Sequence, residues 1–366
     1  MKKETRHLLL NPGPVTTSDQ VKRAQVIPDK SPREKEFQQL ITKVSSMISG
    51  IAATSDRYQT ILFGGSGTAA VEAIISSTVG DGHLCVINNG VYGARMLEMA
   101  KAYGISVAEY KSPLDKPIKI TELEQFMNKQ KTAITHLAVV YHETSTGLLN
   151  DIESLSRLCK SNNISLLVDA VSAFGAIPID MEKWKVSFMA GSANKNIQGL
   201  PGISFVIGAK DEFEKLKKVK AKNYYLNLYD QYLHFETFDL FRFTPPVQTL
   251  YALNTALEEL MEEGVDKRYE RYIRCWNLLT NGLKKLGLNL VVAPKHHSKL
   301  VSAVYEPTNK SYHFEKMHEY LKQHGITIYK GKLAPANSFR IANIGDITEK
   351  DIQHFLHVME KYLHTI

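Results

Sequence analysis

The stretch VSFMAGSANKNIQGLPGISFVIG, residues 186–208, contains two short apolar runs separated by a loop that carries one lysine, Lys195. The runs 186–191 and 203–208 predict two buried strands. The loop consists mostly of small and amide residues and ends in Gly-Leu-Pro-Gly. A lysine beside a sheet edge is usually a solvated charge. Small neighbours leave room for a flat ligand, however, and a lysine amine whose pKa is lowered can form a Schiff base with an aldehyde.

Five earlier apolar runs extend this pattern. They are TILF (60–63), LCVIN (84–88), ISVAEY (105–110), THLAVVY (135–141) and ISLLVD (164–169). Helical patterns lie between several of them, as in residues 67–79 and 151–163. Alternation of helices with strands that are apolar throughout predicts an α/β fold, with a mostly parallel seven-stranded sheet covered on both faces.

The pattern changes near Gln248. Residues 248–287 are almost wholly helical in period, with a break near Gly264. Short strands are then predicted at LVSAVYEP (300–307), ITIYKG (326–331) and SFRIANIG (338–345), with helices between and after them. We therefore expect a large domain over residues 21–250 and a smaller C-terminal α+β domain over residues 251–366, which begins with a long linking helix.

Composition excludes several classes of protein. The chain has 366 residues, of which 43% are hydrophobic and 23% charged, as in ordinary globular proteins. The net charge of +7 is mild, and the lysines of residues 215–223 lack the interleaved aromatic residues of a nucleic-acid site. Three widely spaced cysteines argue against a disulfide framework or a zinc site. No apolar run is long enough for a signal peptide or a membrane span, so we expect a cytoplasmic protein without nucleic-acid or membrane partners.

The stretch GGSGTAAVEA, residues 64–73, follows a predicted strand and opens a predicted helix. Ser66, Gly67 and Thr68 would place backbone N–H groups and hydroxyls at a helix N-terminus, where anions bind. A plain strand-to-helix turn is the alternative. The stretch lacks the Gly-Lys-Ser/Thr ending of a P-loop. It matches the loose dinucleotide fingerprint, but the next strand ends in two asparagines rather than an acidic residue, which disfavours a nicotinamide-dependent dehydrogenase.

Asp169 ends the predicted strand 164–169, where ligands of open α/β sheets bind. Alone, it is better explained as a helix cap. Together with the phosphate-binding stretch before it and Lys195 after it, it completes the set of groups that a pyridoxal phosphate enzyme needs. The phosphate anchors the cofactor, the aspartate keeps the pyridine nitrogen protonated, and the lysine carries the aldehyde.

Motifs along nearly the whole chain carry a family resemblance. They are LLLNPGPVTTS (8–18), GGSGTAAVEA (64–73), NNGVYGARM (88–96), YHETSTG (141–147), DAVSAFGAIPID (169–180), SANKNIQGLPGISFVI (192–207), FTPPVQTLYAL (243–253) and FRIANIGDI (339–347). In these motifs and their order the chain resembles the fold-type I, class V aminotransferases, and most closely the 2-aminoethylphosphonate–pyruvate transaminases among them. The resemblance implies a homodimer with shared active sites, pyridoxal 5′-phosphate as cofactor, and ping-pong transfer of an amino group to pyruvate.

The resemblance assigns roles to individual residues. Lys195 would bind the cofactor aldehyde and carry the proton between the substrate Cα and the cofactor C4′, and Asp169 would pair with the pyridine nitrogen. The remaining cofactor contacts would be Ser66, Gly67 and Thr68 at the phosphate, Tyr92 on the ring, Thr144 near the phenolic oxygen, Ser172 and Asn194 as further contacts, and Thr244 at the phosphate of a neighbouring subunit. From composition alone Tyr92 is a packed tyrosine and the segment at Thr244 a rigid turn.

Substrate contacts implied by the resemblance are Arg340, which would meet the acidic group, and Thr16 and Thr17 in an N-terminal arm, residues 1–20, that contributes to the active site. Without the resemblance, Arg340 would be a surface charge. The related alanine–glyoxylate enzymes share the arginine, so it does not decide the substrate, and an alanine–glyoxylate or serine–glyoxylate transaminase of the same family is the alternative function. Ala342 departs from the family pattern, which has glycine there. A non-catalytic protein that binds pyridoxal phosphate or phosphonates is a further alternative. No metal is expected, since YHETSTG starts like a HExxH motif but lacks the second histidine.

Overall fold

The computed structural model describes residues 6–331 and 337–366. Its strands are β1 (Leu8–Leu9), β2 (Tyr58–Gly64), β3 (His83–Asn88), β4 (Ser106–Lys111), β5 (His136–Val140), β6 (His142–Glu143), β7 (Leu148–Leu149), β8 (Ser165–Asp169), β9 (Phe188–Ser192), β10 (Ile203–Ala209), β11 (Val301–Tyr305), β12 (Ile326–Thr327), β13 (Tyr329–Lys330) and β14 (Ser338–Ala342). Its α-helices are α1 (Asp19–Arg23), α2 (Lys35–Ala52), α3 (Gly67–Thr78), α4 (Val91–Ala102), α5 (Ile120–Asn128), α6 (Ile152–Ser161), α7 (Met181–Trp184), α8 (Lys210–Lys215), α9 (Leu228–Phe238), α10 (Val247–Glu263), α11 (Val265–Lys285), α12 (Phe314–Gln323) and α13 (Glu349–Leu363).

The seven strands predicted in the first two thirds of the chain form one sheet. Their order is β2-β10-β9-β8-β5-β3-β4. In the described part of this sheet, β10 runs antiparallel to the other six strands, which are parallel to one another. Every residue of β9 and β10 is buried, so the sheet is covered on both faces there. The predicted α/β fold with a mostly parallel seven-stranded sheet is confirmed.

The direction of the strands positions the candidate site. Because β2, β3, β5, β8 and β9 point the same way, the loops that follow them meet at one edge of the sheet. Ligands of open α/β sheets bind at this carboxyl edge. The predicted cofactor contacts from Ser66 to Lys195 all follow one of these strands closely in the chain.

Helices pack directly on the strands: α3 contacts β9 and β10, α4 contacts β3 and β4, and α2 contacts β2. Helix α2 was not predicted, although its buried residues Phe37, Ile41, Val44 and Ile48 follow a helical period. The predicted break in the long C-terminal helical segment is confirmed at Gly264, which separates α10 from α11 with a φ of +81°. No helix in the described ranges combines the length and apolar character needed to cross a bilayer.

A second apolar cluster lies in the C-terminal third, around the sheet β11-β14-β13 and helices α11, α12 and α13. The single strand predicted at 326–331 is divided in two, because the chain changes partner at the buried Ile328: β12 pairs with β1, whereas β13 pairs with β14. The N-terminal residues Leu8 and Leu10 belong to this cluster. The division into a large domain at 21–250 and a small one at 251–366 stays a prediction.

Candidate active site

One cavity of about 150 Å³ lies at the carboxyl edge of the sheet. The predicted cofactor contacts that line it are Ser66, Gly67, Thr68, Tyr92, Thr144, Asp169, Ser172, Asn194 and Lys195. They come from five loops or helix starts that are far apart in the sequence. Their convergence follows from the parallel strands that precede them.

The N-terminus of α3 forms the first wall of the cavity. Ser66 precedes the helix, and its side chain makes no capping hydrogen bond. The first N–H groups of an α-helix, here those of Gly67 and Thr68, have no partner within the helix and favour an anion. A Cβ atom at Gly67 would lie 2.6 Å from Cγ1 of Val171, so a side chain there would fill this wall.

Asp169 ends β8 in a buried position. Its Oδ1 accepts a hydrogen bond of 2.9 Å from the backbone N–H of Val171. Burial raises the pKa of the Asp169 carboxyl to about 6, a shift that Glu143 increases and that the Val171 N–H, Arg95 and Lys195 oppose. A cation placed against this carboxyl would favour its charged form.

Lys195 follows β9 in a tight loop. The backbone N–H of Gln198 donates to its carbonyl oxygen at 2.9 Å, and Nζ of the lysine donates to the carbonyl oxygen of Pro12 at 2.6 Å. The next residue of the arm, Gly13, is so close that a Cβ atom on it would lie 2.4 Å from Nζ. The N-terminal segment is therefore part of the surroundings of the lysine.

The remaining walls hold aromatic and hydroxyl groups. Tyr92 is covered by the guanidinium of Arg95, whose Cζ lies 4.7 Å from the ring centroid. Thr144 Oγ1 donates to Ser172 Oγ at 3.4 Å, and Ser172 Oγ donates to the carbonyl oxygen of His142 at 2.9 Å. These hydrogen bonds fix the positions of the two hydroxyl groups at the edge of the cavity.

The chemistry of this donor set fits pyridoxal phosphate. An amine is available for the aldehyde, a buried carboxylate for the protonated pyridine nitrogen, and a helix start with two hydroxyls for the phosphate. Asn194 is also in place, with its Oδ1 accepting a hydrogen bond of 2.6 Å from Ser192 Oγ. The roles of the individual residues stay predictions.

Arg340 is buried in β14, with 2% of its surface exposed, so it is not a surface charge. Burial lowers the pKa of its guanidinium, while the Tyr92 hydroxyl and Glu143 raise it. Its Nε and Nη2 atoms each lie 3.4 Å from the carbonyl oxygen of Lys330. Ala342, where the family pattern has glycine, is buried at the end of the same strand, and its backbone N–H donates to the carbonyl oxygen of Leu10 at 2.8 Å.

Thr16 and Thr17 are buried, but neither they nor Arg340 line the cavity itself. The hydroxyl of Thr16 accepts a hydrogen bond of 2.9 Å from the backbone N–H of Leu9. Its carbonyl oxygen accepts another of 2.8 Å from the backbone N–H of Asp346. The structure thus brings Thr16 beside the segment that follows Arg340 in the chain. The role of Thr16, Thr17 and Arg340 in substrate binding stays a prediction.

Thr244 lies away from this cavity. It lines a surface groove of about 480 Å³ together with Arg33, Phe238, Phe241 and Arg242. The role of Thr244 at the site of another copy of the chain stays a prediction.

Three further residues line the cavity without having been predicted: Arg95, Val140 and Val171. Arg95 follows Tyr92 by three residues on α4, and this helical spacing was the signal that would have placed both on one face. Its Nη1 lies 3.3 Å from Thr68 Oγ1, at the start of α3. In the sequence Glu143 stands out only as the acidic residue of a stretch that starts like a metal motif, whereas the structure buries it next to Thr144.

Comparison with known proteins adds the family. The model of the aminotransferase class V family matches residues 20–346. The chain belongs to the class V aminotransferases. This class V aminotransferase is 38% identical over 362 residues to the 2-aminoethylphosphonate–pyruvate transaminases of Bacillus thuringiensis (strain Al Hakam) and Bacillus anthracis, with 98% of this chain and of each relative covered.

Among solved structures, the class V aminotransferase is similar to an alanine–glyoxylate aminotransferase from Nostoc sp. The TM-score is 0.91 at 25% identity, with 99% of this chain and 96% of that chain covered. The family and the fold class expected from the sequence motifs are thus confirmed.

Proposed function

We propose that this aminotransferase uses pyridoxal phosphate to move the amino group of 2-aminoethylphosphonate to pyruvate, giving phosphonoacetaldehyde and alanine. The observation that carries the proposal is the meeting of Lys195, Asp169 and the start of α3 in one cavity. The choice of substrates is supported by the similarity, over almost the full length, to relatives that bear this name.

When bound, pyridoxal phosphate supplies an aldehyde for the amino group and a ring that takes up electron density. Ser66, Gly67 and Thr68 would hold its phosphate at the positive end of α3. The carboxylate of Asp169 would keep the pyridine nitrogen protonated, and Tyr92, Thr144, Ser172 and Asn194 would fix the ring between them. These residues bind and orient, and they carry no proton in the transfer.

Lys195 has the catalytic role in this proposal. Its amine would hold the cofactor aldehyde before the substrate arrives, and the amino group of the substrate would then displace it. The released amine would remove a proton from the substrate carbon that bears the amino group. The same amine would return that proton at the cofactor carbon C4′. Water would then release phosphonoacetaldehyde. With pyruvate as the second substrate, Lys195 would carry the proton in the opposite direction, and alanine would leave as the lysine amine takes its place on the aldehyde again.

Arg340 would bind the acidic group of either substrate. A buried planar guanidinium can form two parallel hydrogen bonds with a phosphonate or a carboxylate. We propose Thr16 and Thr17 as further contacts to the phosphonate. The burial of Arg340 supports this role, because a buried cation gains more from an anionic ligand than an exposed one does.

We also propose a cytoplasmic homodimer in which Thr244 reaches the phosphate site of the other subunit. The position of Thr244 in a surface groove outside its own chain's cavity supports this arrangement. The exposed side chains of Tyr224 and Phe238 near the groove supply apolar surface for such an interface. The cytoplasmic location is supported by the three cysteines, all of which are free and buried.

The first test is an absorbance spectrum of the purified protein loaded with pyridoxal phosphate. We expect a visible band of the lysine-bound cofactor that disappears on addition of 2-aminoethylphosphonate alone and returns on addition of pyruvate. A band that ignores this donor but responds to alanine or serine, and returns with glyoxylate, would replace the proposal by the alternative function. Absence of any band after incubation with pyridoxal phosphate would overturn the cofactor assignment.

A substitution tests the role of Lys195. Lys195→Ala is expected to lack the lysine-bound band and to abolish turnover, while Lys215→Ala, on the surface helix α8, should keep both. Turnover near the normal level in Lys195→Ala would reject the mechanism.

A further inference from the structure

Glu143 is a fully buried carboxylate beside the cavity, and the proposed mechanism leaves it without a role. Its Oε2 accepts hydrogen bonds from the backbone N–H groups of Tyr92 at 3.2 Å and Gly93 at 3.3 Å. Its Oε1 accepts from the backbone N–H of Ser145 at 3.1 Å and from the Ser145 hydroxyl. Four donors thus converge on one side chain and offset part of the cost of burying it, although burial still raises the pKa of the Glu143 carboxyl.

These bonds replace the ordinary cap of helix α4. The residue before the helix is Gly90, which has no side chain to cap it. A Cβ atom at Gly90 would lie 2.2 Å from Cδ of Glu143, so the glycine is what lets the carboxylate reach the helix. The Ser145 hydroxyl accepts a further hydrogen bond of 3.2 Å from the backbone N–H of Val91. Glu143 and Ser145 therefore cap α4 from a loop about fifty residues away in the chain.

The elements joined in this way are two walls of the cavity. Helix α4 carries Tyr92 and Arg95, and the loop carries Thr144, the residue directly after Glu143. The charge of Glu143 also acts on two other groups of the site, since it raises the pKa of Arg340 and that of Asp169. Glu143 itself lies behind the cavity and does not line it.

We propose that Glu143 is a positioning residue that holds Tyr92 and Thr144 at a fixed separation and so sets how tightly the cofactor is bound. The inference rests on the proposed function, because it takes pyridoxal phosphate as the molecule between these walls. A helix cap that serves stability alone is the competing explanation. The two explanations differ in their prediction for a protein without the Tyr92 side chain. If Glu143 acts by positioning Tyr92, its replacement should affect cofactor binding much less there.

The experiment is a double-mutant cycle on the apoprotein, with the dissociation constant of pyridoxal phosphate measured by absorbance titration and no amino donor present. The variants are Glu143→Gln, Tyr92→Ala and the double variant. Glutamine keeps the shape but turns an NH₂ group toward backbone N–H donors, so α4 should shift. We expect Glu143→Gln to weaken binding by about tenfold or more in the normal background and by less than about threefold beside Tyr92→Ala.

A matched control is Glu182→Gln. Glu182 also accepts backbone N–H bonds from another element, those of Thr54 and Ser55 at 2.8 Å each, but it does not line or adjoin the cavity. The Glu182→Gln substitution should lower the melting temperature without changing cofactor affinity.

Glu143→Asp keeps the charge and provides a second variant if Glu143→Gln fails to fold. It is expected to bind the cofactor more tightly than Glu143→Gln and less tightly than the unaltered protein.

Two results would overturn the inference. One is unchanged affinity in Glu143→Gln and Glu143→Asp, with only the melting temperature reduced. The other is an equal loss of affinity with and without Tyr92, which would mean that Glu143 does not act through Tyr92. If the unaltered protein itself fails to bind pyridoxal phosphate, the proposed function fails, and this outcome is distinct from both.

Discussion

Nζ of Lys195 donates a hydrogen bond of 2.6 Å to the carbonyl oxygen of Pro12, a residue 183 positions earlier in the chain. The N-terminal arm is therefore in direct contact with the group that we propose as catalytic. Gly13 continues the contact, since there is no space for a side chain between it and the lysine. The arm shapes the space in which the lysine amine moves.

We expect Gly13→Ala to lower turnover. The added methyl group would overlap Nζ of Lys195, and displacement of a reacting group by about 1 Å can cost on the order of a hundredfold in rate. The measurement is kcat with saturating donor and acceptor. Gly104→Ala is the control, because Gly104 also has a positive φ, +62°, but no atom lies within 4 Å of its added methyl group. Equal activity of the two variants would mean that the contact with Lys195 is unimportant.

Asp169 should make cofactor binding depend on pH. Its carboxyl in the folded apoprotein has a pKa of about 6, so it is neutral below that pH and cannot pair with a protonated pyridine nitrogen. As the pH falls through about 6, binding of pyridoxal phosphate should therefore weaken, by up to about tenfold per pH unit. The charged neighbours that modulate this group are Glu143, Arg95 and Lys195.

The comparison that isolates this effect is Asp169→Asn, with dissociation constants measured from about pH 8 to about pH 5. The cofactor phosphate also titrates near pH 6, and that contribution is common to both proteins. The stability of the apoprotein depends on pH in the opposite direction. Because the pKa of Asp169 in the folded protein lies above the ordinary value of 3.8, this group raises the free energy of unfolding as the pH falls through about 6. If the dissociation constants of the unaltered protein and of Asp169→Asn change with pH in the same way, Asp169 does not pair with the pyridine nitrogen.

Arg340→Lys is expected to raise KM for 2-aminoethylphosphonate by about tenfold or more, because an ammonium group cannot form the paired hydrogen bonds of a guanidinium. The affinity for pyridoxal phosphate should change little, since Arg340 does not line the cofactor cavity. Arg274→Lys is the control: this arginine lies on α11 in an exposed ion pair with Glu349, and its replacement should leave KM unchanged. An unaltered KM in Arg340→Lys would remove the arginine from substrate binding.

The proposed dimer can be tested at the groove that contains Thr244. Phe238 lines this groove and is 52% exposed in the single chain. Phe238→Asp should give a monomer by sedimentation. It should also weaken cofactor binding, because each phosphate site would lose the contact with Thr244 of the other subunit. Tyr305→Asp is the control, since Tyr305 is 44% exposed on β11, outside the groove. A monomeric unaltered protein that binds the cofactor normally would reject the shared site.

The sheet and the centre of the site were predictable because they depend on local patterns. Most of the seven strands contain a short apolar run, and parallel strands bring the residues after them to one edge, which placed Asp169 and Lys195 on the same side of the sheet. Tyr92, Thr144 and Thr244 were placed only through the family resemblance, since their residue types have ordinary structural explanations.

What could not be predicted depends on contacts between distant segments. Glu143 reads as one acidic residue in a polar stretch, and its partners on α4 become evident only when the two loops are adjacent. The same holds for Pro12 and Lys195. The division of 326–331 into two strands depends on the arrival of β1, a partner from the other end of the chain.

That last pairing also sets an order of events during synthesis. Leu8 and Leu9 lie beside Ile326 and Thr327, so during synthesis they must wait for more than three hundred further residues before their partners exist. The carbonyl group that meets Lys195 is carried by the same arm. The strands of the seven-stranded sheet are therefore synthesised well before the arm has its own partner, so the arm is held in place beside Lys195 only after β12 has been made.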